Sequence, residues 1–240
     1  MPPGTLYLVP NTLGGDAVDV TAPMARERIQ RLRYFLAEDP RNARALLKSL
    51  AHPVPLREIR IERLNENTRP QEVAAMLEPL LQGEDAGLVS EAGIPAVADP
   101  GAGLVRLAHR RGIRVVPLPG PSSIVLALSA SGLEGQRFAF HGYVPVKEPQ
   151  RSAVIRELER RSRAERETEV FIEAPYRNMA LLAALLSACR GDTLLCIATD
   201  LTLAGETVRT LRVEEWRRER PKLERRPSVF LLLAATGRDN

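Results

Sequence analysis

The sequence predicts an α/β protein of two domains, with a parallel sheet in the first domain and a mixed sheet in the second. In the first half, short apolar runs alternate with segments of helical periodicity, which is the order of a parallel sheet with crossover helices. In the second half the apolar runs lengthen and fewer helical segments separate them, so some neighbouring strands are expected to be antiparallel. We place the boundary at the start of the proline-rich stretch 117–121, giving domains of residues 1–117 and 118–240.

Local sequence signals mark where the strands and helices of the first half begin and end. Pro10 stops the first apolar run, Pro70 fits the first turn of a helix, and Gly112 follows a helix at its usual C-terminal position. The alternation Arg-Glu-Ile-Arg-Ile at residues 57–61 indicates an edge strand. We predict strands at residues 5–9, 33–37, 57–61, 86–90 and 114–118, and helices at residues 22–32, 42–50, 70–81, 102–111 and 122–131.

The second half contains longer strands. The last three are joined to each other with little helical sequence, which favours antiparallel pairing. We predict strands at residues 137–144, 168–174, 193–201, 206–213 and 228–235, and helices at residues 150–163 and 178–188.

The composition is that of a soluble globular protein. Lys and Arg total 34 against 30 Asp and Glu, and this net charge of +4 is too mild to imply a nucleic-acid partner by itself. Arginine-rich runs at 26–33, 151–166 and 217–226 also contain glutamate, so solvated helix faces explain them most simply. No apolar run approaches the roughly 20 residues of a membrane helix, and the first residues lack a signal-peptide pattern. With Cys189 and Cys196 expected to be buried thiols, we predict a cytoplasmic protein.

Two loops rich in glycine and proline are the strongest functional signal. They are residues 90–101 and the Pro-Gly-Pro-Ser-Ser of residues 119–123, and each joins a predicted strand to a predicted helix. Such loops direct backbone N–H groups into a crevice, and the first is longer than a simple link requires. Neither matches the dinucleotide or P-loop fingerprint, so they predict a site for a polar small molecule not held mainly by phosphates. Asp99 and Ser122 are alternatively simple helix caps.

Polar residues also follow other strands, where α/β folds place their sites. They include Glu38-Asp39, Asn65-Glu66 and the Glu173…Arg177 stretch. Glu173 and Arg177 either pair with each other or face a crevice between the halves. The three histidines are scattered, so neither a Ser-His-Asp set nor a metal-ligand spacing is evident, and we expect no metal.

The string Val-Ser-Glu-Ala-Gly-Ile-Pro-Ala-Val-Ala-Asp-Pro-Gly at residues 89–101 resembles the signature loop of the tetrapyrrole methylase superfamily. Within it, the sequence is most similar to the small-subunit ribosomal RNA 2′-O-ribose cytidine methyltransferases. Further similar stretches follow in the same order, at residues 4–10, 37–41, 117–122, 128–133, 140–145 and 173–177. The resemblance implies a homodimer of two-domain chains, each holding S-adenosylmethionine in the cleft between its domains.

The resemblance also assigns roles to residues. The cofactor pocket would be lined by Pro10, Ser90, Ala92, Gly93, Pro95, Asp99, Pro100, Pro119, Gly120, Pro121, Ser122 and Ser123. Methyl transfer to a ribose hydroxyl would profit from a general base, for which Glu38, Asp39 and Glu66 are candidates. On the substrate side we expect Arg41, Asn65, Lys147, Glu173 and Arg177, with the three cations binding RNA phosphates.

Departures from the group's pattern fall mainly on the substrate side. Pro40 stands where the group has Thr, and the stretch 199–203 lacks the group's Arg and Lys. Methylation of small-subunit ribosomal RNA is the first hypothesis, and it rests on the two loops and the arginine-rich surface. Two alternatives stay open: methylation of a tetrapyrrole or another small molecule in a deep, enclosed cleft, and a non-catalytic paralogue that binds the cofactor or RNA without turnover.

Overall fold

The computed structural model describes residues 2–219, 221–223 and 225–235. The chain divides into two compact units, residues 1–122 and residues 123–240. This division lies just beyond the end of the proline-rich stretch 117–121, five residues after the predicted boundary. Each unit is built on a five-stranded sheet, one parallel and one mixed, so the predicted fold class is confirmed.

The first unit contains a parallel sheet between two layers of helices. Its strands are β1 (Thr5–Val9), β2 (Tyr34–Ala37), β3 (Arg60–Arg63), β4 (Ala86–Val89) and β5 (Arg114–Pro117), in the order β3-β2-β4-β1-β5. Its helices are α1 (Ala17–Val20), α2 (Pro23–Arg31), α3 (Pro40–Ser49), α4 (Pro70–Ala75), α5 (Glu78–Leu81) and α6 (Gly101–Arg110). Because all pairings are parallel, the carboxyl ends of the five strands share one edge.

The two helical layers explain where a site can open in this unit. Helices α1 to α3 pack with Phe35 and Val9 on one face of the sheet, whereas α5 and α6 pack with Tyr34 and Leu88 on the other. The chain therefore leaves β1 and its neighbour β4 toward opposite faces. In open α/β sheets, ligands bind where neighbouring strands diverge in this way.

The second unit contains the mixed sheet. It comprises α7 (Ser123–Ser131), β6 (Phe138–Tyr143), α8 (Gln150–Glu165), β7 (Thr168–Glu173), α9 (Asn178–Ala188), β8 (Leu194–Thr199), β9 (Thr207–Arg212), α10 (Val213–Trp216) and β10 (Ser228–Leu233). The strand order is β6-β7-β10-β8-β9. Only β6 and β7 pair in parallel, and the predicted antiparallel pairing among the last three strands is confirmed.

Some boundaries differ from the sequence prediction for identifiable reasons. The single helix expected at residues 70–81 is two helices, because Pro79 cannot donate a backbone bond and its ring clashes with the preceding turn. The strand expected at 57–61 begins at Arg60, since Leu56–Glu58 forms a 3₁₀ turn. The four-residue helices α1 and α10 are too short to show periodicity.

Three further features relate to expectations from the composition. Both cysteines are free and buried, as expected. Across the described residues, no helix is long and apolar enough to cross a membrane. On α8, the exposed Arg160 pairs with Glu157 at 2.5 Å, which fits a solvated helix face.

Candidate active site at the carboxyl edge of the parallel sheet

The loops after β1 and β4 are joined through Asn11. Its backbone N–H donates to the carbonyl of Gly93 at 2.9 Å, and the Gly93 N–H donates back to the Asn11 carbonyl at 3.1 Å. The Asn11 side-chain amide donates to the carbonyls of Ser90 and Glu91, at 3.1 and 3.0 Å. Gly93 has a φ of 71°, a conformation that favours glycine. This buried asparagine therefore fixes the start of the 90–101 loop.

The loop after β5 reaches the same place through Gly120. A Cβ atom on Gly120 would lie 2.2 Å from the Cβ of Pro10, so only glycine permits this approach. A Cβ atom on Gly93 would lie 3.4 Å from the carbonyl oxygen of Pro121. The loops that follow the neighbouring strands β4, β1 and β5 thus converge at one point. The structure brings together Pro10, Gly93, Gly120 and Pro121 of the predicted cofactor set.

The 90–101 loop is strained, and Asp99 holds it. Ala96 and Ala98 have φ values of 65° and 59°, a region that costs a non-glycine residue on the order of 1–3 kcal/mol. The Asp99 carboxylate accepts from the Ala96 N–H at 2.8 and 2.9 Å and from the Gly101 N–H at 2.7 Å. Burial raises the pKa of Asp99, and these backbone bonds oppose the rise. Asp99 thus binds the first amide of α6 and also orders the loop that precedes this helix.

The other predicted cofactor residues differ in exposure. Ser90 is buried, and its Oγ lies within hydrogen-bond distance of the carbonyls of Ala92 and Gly93, at 3.2 and 3.1 Å. Pro95 is buried as well, whereas Ala92 and Pro119 are exposed. Partly exposed are Pro100, Ser122 and Ser123, of which Ser123 begins α7 in the second unit.

Acidic side chains gather along this edge. Glu38 follows β2, Glu66 follows β3 and Glu91 follows β4. Burial raises the pKa of Glu38, and the negative charges of Glu91, Asp99 and Glu66 raise it further. A carboxylate with a raised pKa accepts protons better than an ordinary one. Of the three candidates for a general base, Glu38 has the environment that suits this role.

The neighbouring polar residues have local structural partners. Asp39 is the N-cap of α3, and its Oδ1 accepts from the Arg41 N–H at 2.8 Å. Asn65 shapes the turn after β3, where its Oδ1 accepts from the Asn67 N–H at 3.0 Å. Glu66 and Arg41 are exposed, and no ion pair of Arg41 occurs in the part of the chain that the structure describes.

Two grooves flank these residues within the first unit. One of about 510 Å³ opens beside Asn11 and Glu91 and reaches α3. The other, of about 390 Å³, lies beside Glu66 and between α4 and α6. Both volumes fall in the range typical of small-molecule sites, roughly 300–1,000 Å³.

The predicted substrate residues of the second unit are held differently. Arg177 Nη2 lies 2.6 Å from Glu173 Oε1, and Arg177 Nε donates to the same oxygen at 2.8 Å. Hydrogen bonding to Glu173 raises the pKa of Arg177. Of the two alternatives for this pair, mutual pairing is the one observed. Lys147 is exposed in the segment after β6. Within the described ranges, no group of three or more His, Cys, Asp or Glu could hold a metal ion.

Asn11 is the site residue that the sequence did not reveal. Its side chain bonds to a carbonyl 79 residues away along the chain, and no local pattern encodes that partner. The one available signal is its position directly after Pro10, which ends the first strand.

Comparisons with known proteins agree with this architecture. The sequence profile of the family Tetrapyrrole (Corrin/Porphyrin) Methylases matches residues 6–216. A Pseudomonas aeruginosa protein named ribosomal RNA small subunit methyltransferase I is 34% identical, over 90% of this chain and 72% of its own length. A protein of the same name from Xylella fastidiosa is 36% identical, over 86% of this chain and 71% of its own.

A solved structure supports the fold alone. The methyltransferase CobJ superimposes with a TM-score of 0.65 at 17% identity, covering 97% of this chain and 95% of its own. The profile match and the relatives above 30% identity together show that this chain is a methyltransferase and belongs to the tetrapyrrole methylase family.

Proposed function

We propose that this chain transfers a methyl group from S-adenosylmethionine to small-subunit ribosomal RNA, at a ribose 2′-hydroxyl. The observation that carries the proposal is the convergence of the three loops around Pro10, Gly93 and Gly120, beside a carboxylate with a raised pKa. The names of the relatives support ribosomal RNA as the substrate.

The residues at this edge fit the proposed cofactor. When bound, S-adenosylmethionine supplies a methyl group made electrophilic by a positively charged sulfur. The converging loops offer main-chain groups and prolines, which suit an adenosyl group. The carboxylates of Glu38, Glu66 and Glu91 favour a cation by Coulomb attraction. The steric fit of Gly120 against Pro10 and the strain at Ala96 and Ala98 indicate a shape maintained for binding.

The cofactor-binding residues divide into two groups. The first group would line the site and consists of Pro10, Gly93, Gly120, Pro121, Ala92, Pro95, Pro100, Pro119, Ser122 and Ser123. Ser90 and Asp99 would support the site indirectly, because their side chains form hydrogen bonds with the backbone of the loop itself.

Glu38 would accept the proton of the ribose hydroxyl. A ribose hydroxyl is a poor nucleophile, and a positioned base is worth roughly 10²–10⁴ in rate. Alignment of the hydroxyl with the methyl carbon contributes more, since well-oriented reactants gain about 7–11 kcal/mol. Arg41, Lys147 and Arg177 would bind phosphates, with Asn65 and Glu173 positioning neighbouring groups.

Two features of the proposal concern the protein in the cell. We propose that it acts as a homodimer in the cytoplasm. The two free, buried thiols are compatible with a reducing compartment. Sedimentation of the purified protein gives the oligomeric state, and a monomer at micromolar concentration would contradict it.

Three measurements test the proposed function and its alternatives. Titration calorimetry should show that the purified protein binds S-adenosylmethionine. If no binding occurs at millimolar concentrations of this ligand, the proposed cofactor is wrong. Mass spectrometry of ribosomal RNA from a deletion strain should show one ribose methyl group missing. Labelled methyl appearing in a porphyrin pool instead would favour the small-molecule alternative, and transfer to neither substrate would favour the non-catalytic one.

A further inference from the structure

We propose that the second unit stacks an unpaired base of single-stranded RNA on an exposed surface formed by Tyr143, Tyr176 and Arg177. We call these three residues the tyrosine platform. The inference rests on the proposed function and extends it, because it specifies how the RNA is held and by which residues.

The sheet places these residues at neighbouring strand ends. Strands β6 and β7 are parallel, and Tyr143 pairs with Ile172, so both strands end at the same edge. The 3₁₀ turn Pro175–Arg177 follows β7 directly. A bulge interrupts β6 between Phe140 and Tyr143, and Gly142 within it has a φ of 64°. Bulges re-aim the side chains that follow them, which here is Tyr143.

The exposure of the two rings is what needs an explanation. Tyr176 is 74% exposed and Tyr143 is 58% exposed, and neither can contribute much to a hydrophobic core. Tyr143 pairs with Ile172 across the two strands, and Arg177 contacts both Tyr176 and Glu173, the residue after Ile172, so the three groups lie at the same edge of the sheet. Large exposed aromatic side chains in one place indicate a binding surface.

Arg177 gives this surface a fixed cation. Its guanidinium lies 5.1 Å from the centroid of the Tyr176 ring and donates to the Tyr176 hydroxyl at 3.0 Å. The Glu173 carboxylate, which is fully buried, anchors the other side of the guanidinium. Arg177 is therefore ordered before any ligand arrives, which lowers the entropic cost of binding.

The chemistry of the platform matches an unpaired nucleobase. Proteins hold single-stranded RNA by stacking its bases on tyrosine rings and guanidinium planes. The exposed Lys147, four residues after Tyr143 in the chain, supplies a cation for the adjoining phosphate. Contacts between protein chains are also rich in tyrosine and arginine, but they are depleted in lysine, so the exposed Lys147 favours RNA over a second copy of this chain.

The test is binding of a single-stranded RNA that contains 2-aminopurine, a base whose fluorescence is quenched on stacking. Tyr176→Ala and Tyr143→Ala should each weaken the RNA Kd by about 5- to 140-fold, since one stacked base is worth roughly 1–3 kcal/mol. Tyr176→Phe and Tyr176→Trp keep a ring and should retain both affinity and quenching. S-adenosylmethionine binding by calorimetry should be unchanged in all four variants.

Phe138→Ala is the matched control. Phe138 is also aromatic and 42% exposed, but it lies at the opposite end of β6, so its loss should leave RNA affinity unchanged. Wild-type RNA affinity in both alanine variants, or a wild-type protein that does not quench the probe, would overturn the platform. The proposal would also be overturned if the two alanine variants changed from dimer to monomer while their RNA affinity stayed the same. If the platform variants behave as expected but ribosomal RNA from the deletion strain keeps every methyl group, only the proposed function fails.

Discussion

Carboxylates in the two units of this chain have opposite electrostatic surroundings. In the first unit, the partly buried Glu38 is surrounded by other acids, and its pKa is raised. In the second, the fully buried Glu173 is paired with Arg177, and the buried Glu169 lies against His141. A paired carboxylate is committed to structure, whereas an unpaired one among like charges is available for proton transfer. This contrast supports the proposal that Glu38 of the first unit acts as the general base, whereas the two pairs of the second unit have structural roles.

The largest expected effect tests the unpaired side of this contrast. Glu38→Gln should lower the methyl-transfer rate by roughly 10²–10⁴ while leaving S-adenosylmethionine affinity within a few-fold. Single-turnover kinetics and calorimetry measure the two quantities. Glu27→Gln, which changes an exposed acid on α2, is the control and should keep full activity. A Glu38→Gln variant that retains its rate would remove Glu38 from the mechanism.

The second prediction concerns the paired side. Glu173→Gln should lower the free energy of unfolding by about 1.5–3 kcal/mol, the worth of a hydrogen bond to a charged group. Arg177→Met should cost more, because it leaves the buried Glu173 carboxylate without its cation. Urea denaturation compares both with Arg156→Met, an exposed arginine of α8. Equal losses in the three variants would mean that the pair has no structural role.

The third prediction concerns the convergence of the loops. Gly120→Ala places a methyl group onto Pro10 and should destabilise the protein by about 1–3 kcal/mol, with a lower affinity for S-adenosylmethionine. Gly103→Ala, in α6, is the matched control because its new methyl group meets open space. This control should be neutral or stabilise the protein by up to about 1 kcal/mol. Thermal unfolding measures the stability of both variants, and calorimetry measures their affinity for S-adenosylmethionine. If the affinity of Gly120→Ala is unchanged, the contact between Gly120 and Pro10 is not needed for cofactor binding.

The smallest expected effect is a shift in pH dependence. The proposed base works only when deprotonated, so the methyl-transfer rate should fall as the pH drops through the raised pKa of Glu38. Glu91→Gln removes the strongest of the neighbouring negative charges that raise that pKa, and the acid limb of the profile should move to lower pH. An unmoved acid limb would indicate that another group controls the rate.

The same substitution has a consequence for stability with a defined sign. Because the folded-state pKa of Glu38 is raised, the folded state binds the proton more tightly than the unfolded state does. The stabilisation from this group is therefore complete below the unfolded pKa and is lost as the pH rises to the folded pKa. Glu91→Gln should reduce that loss, and urea denaturation at several pH values measures it.

Sequence patterns predicted most of the fold because its elements carry local signals. The predicted bounds agree to the residue for the helix Asn178–Ala188, which is a run of the helix formers Ala and Leu, and for the strand Thr5–Val9, which a proline terminates. The break before Pro79 was missed because the apolar pattern continues through it. Motif resemblance picked out Gly93 and Gly120, whose convergence the structure displays, but the bonding of Asn11 depends on long-range pairing. The ranking of Glu38 above Asp39 and Glu66 needed burial and neighbouring charge, which only the folded chain provides.

The hydrogen bonds of Asp99 have a consequence for how this protein would fail. The Asp99 carboxylate accepts from the Ala96 and Gly101 amides and so stabilises the stretch that contains the two left-handed alanines. Acidification or mild warming that breaks these hydrogen bonds should let the loop backbone relax while the parallel sheet stays folded. If this loop binds the cofactor as we propose, binding would be lost at a milder stress than unfolding, and a sample with a native circular dichroism spectrum would already be inactive.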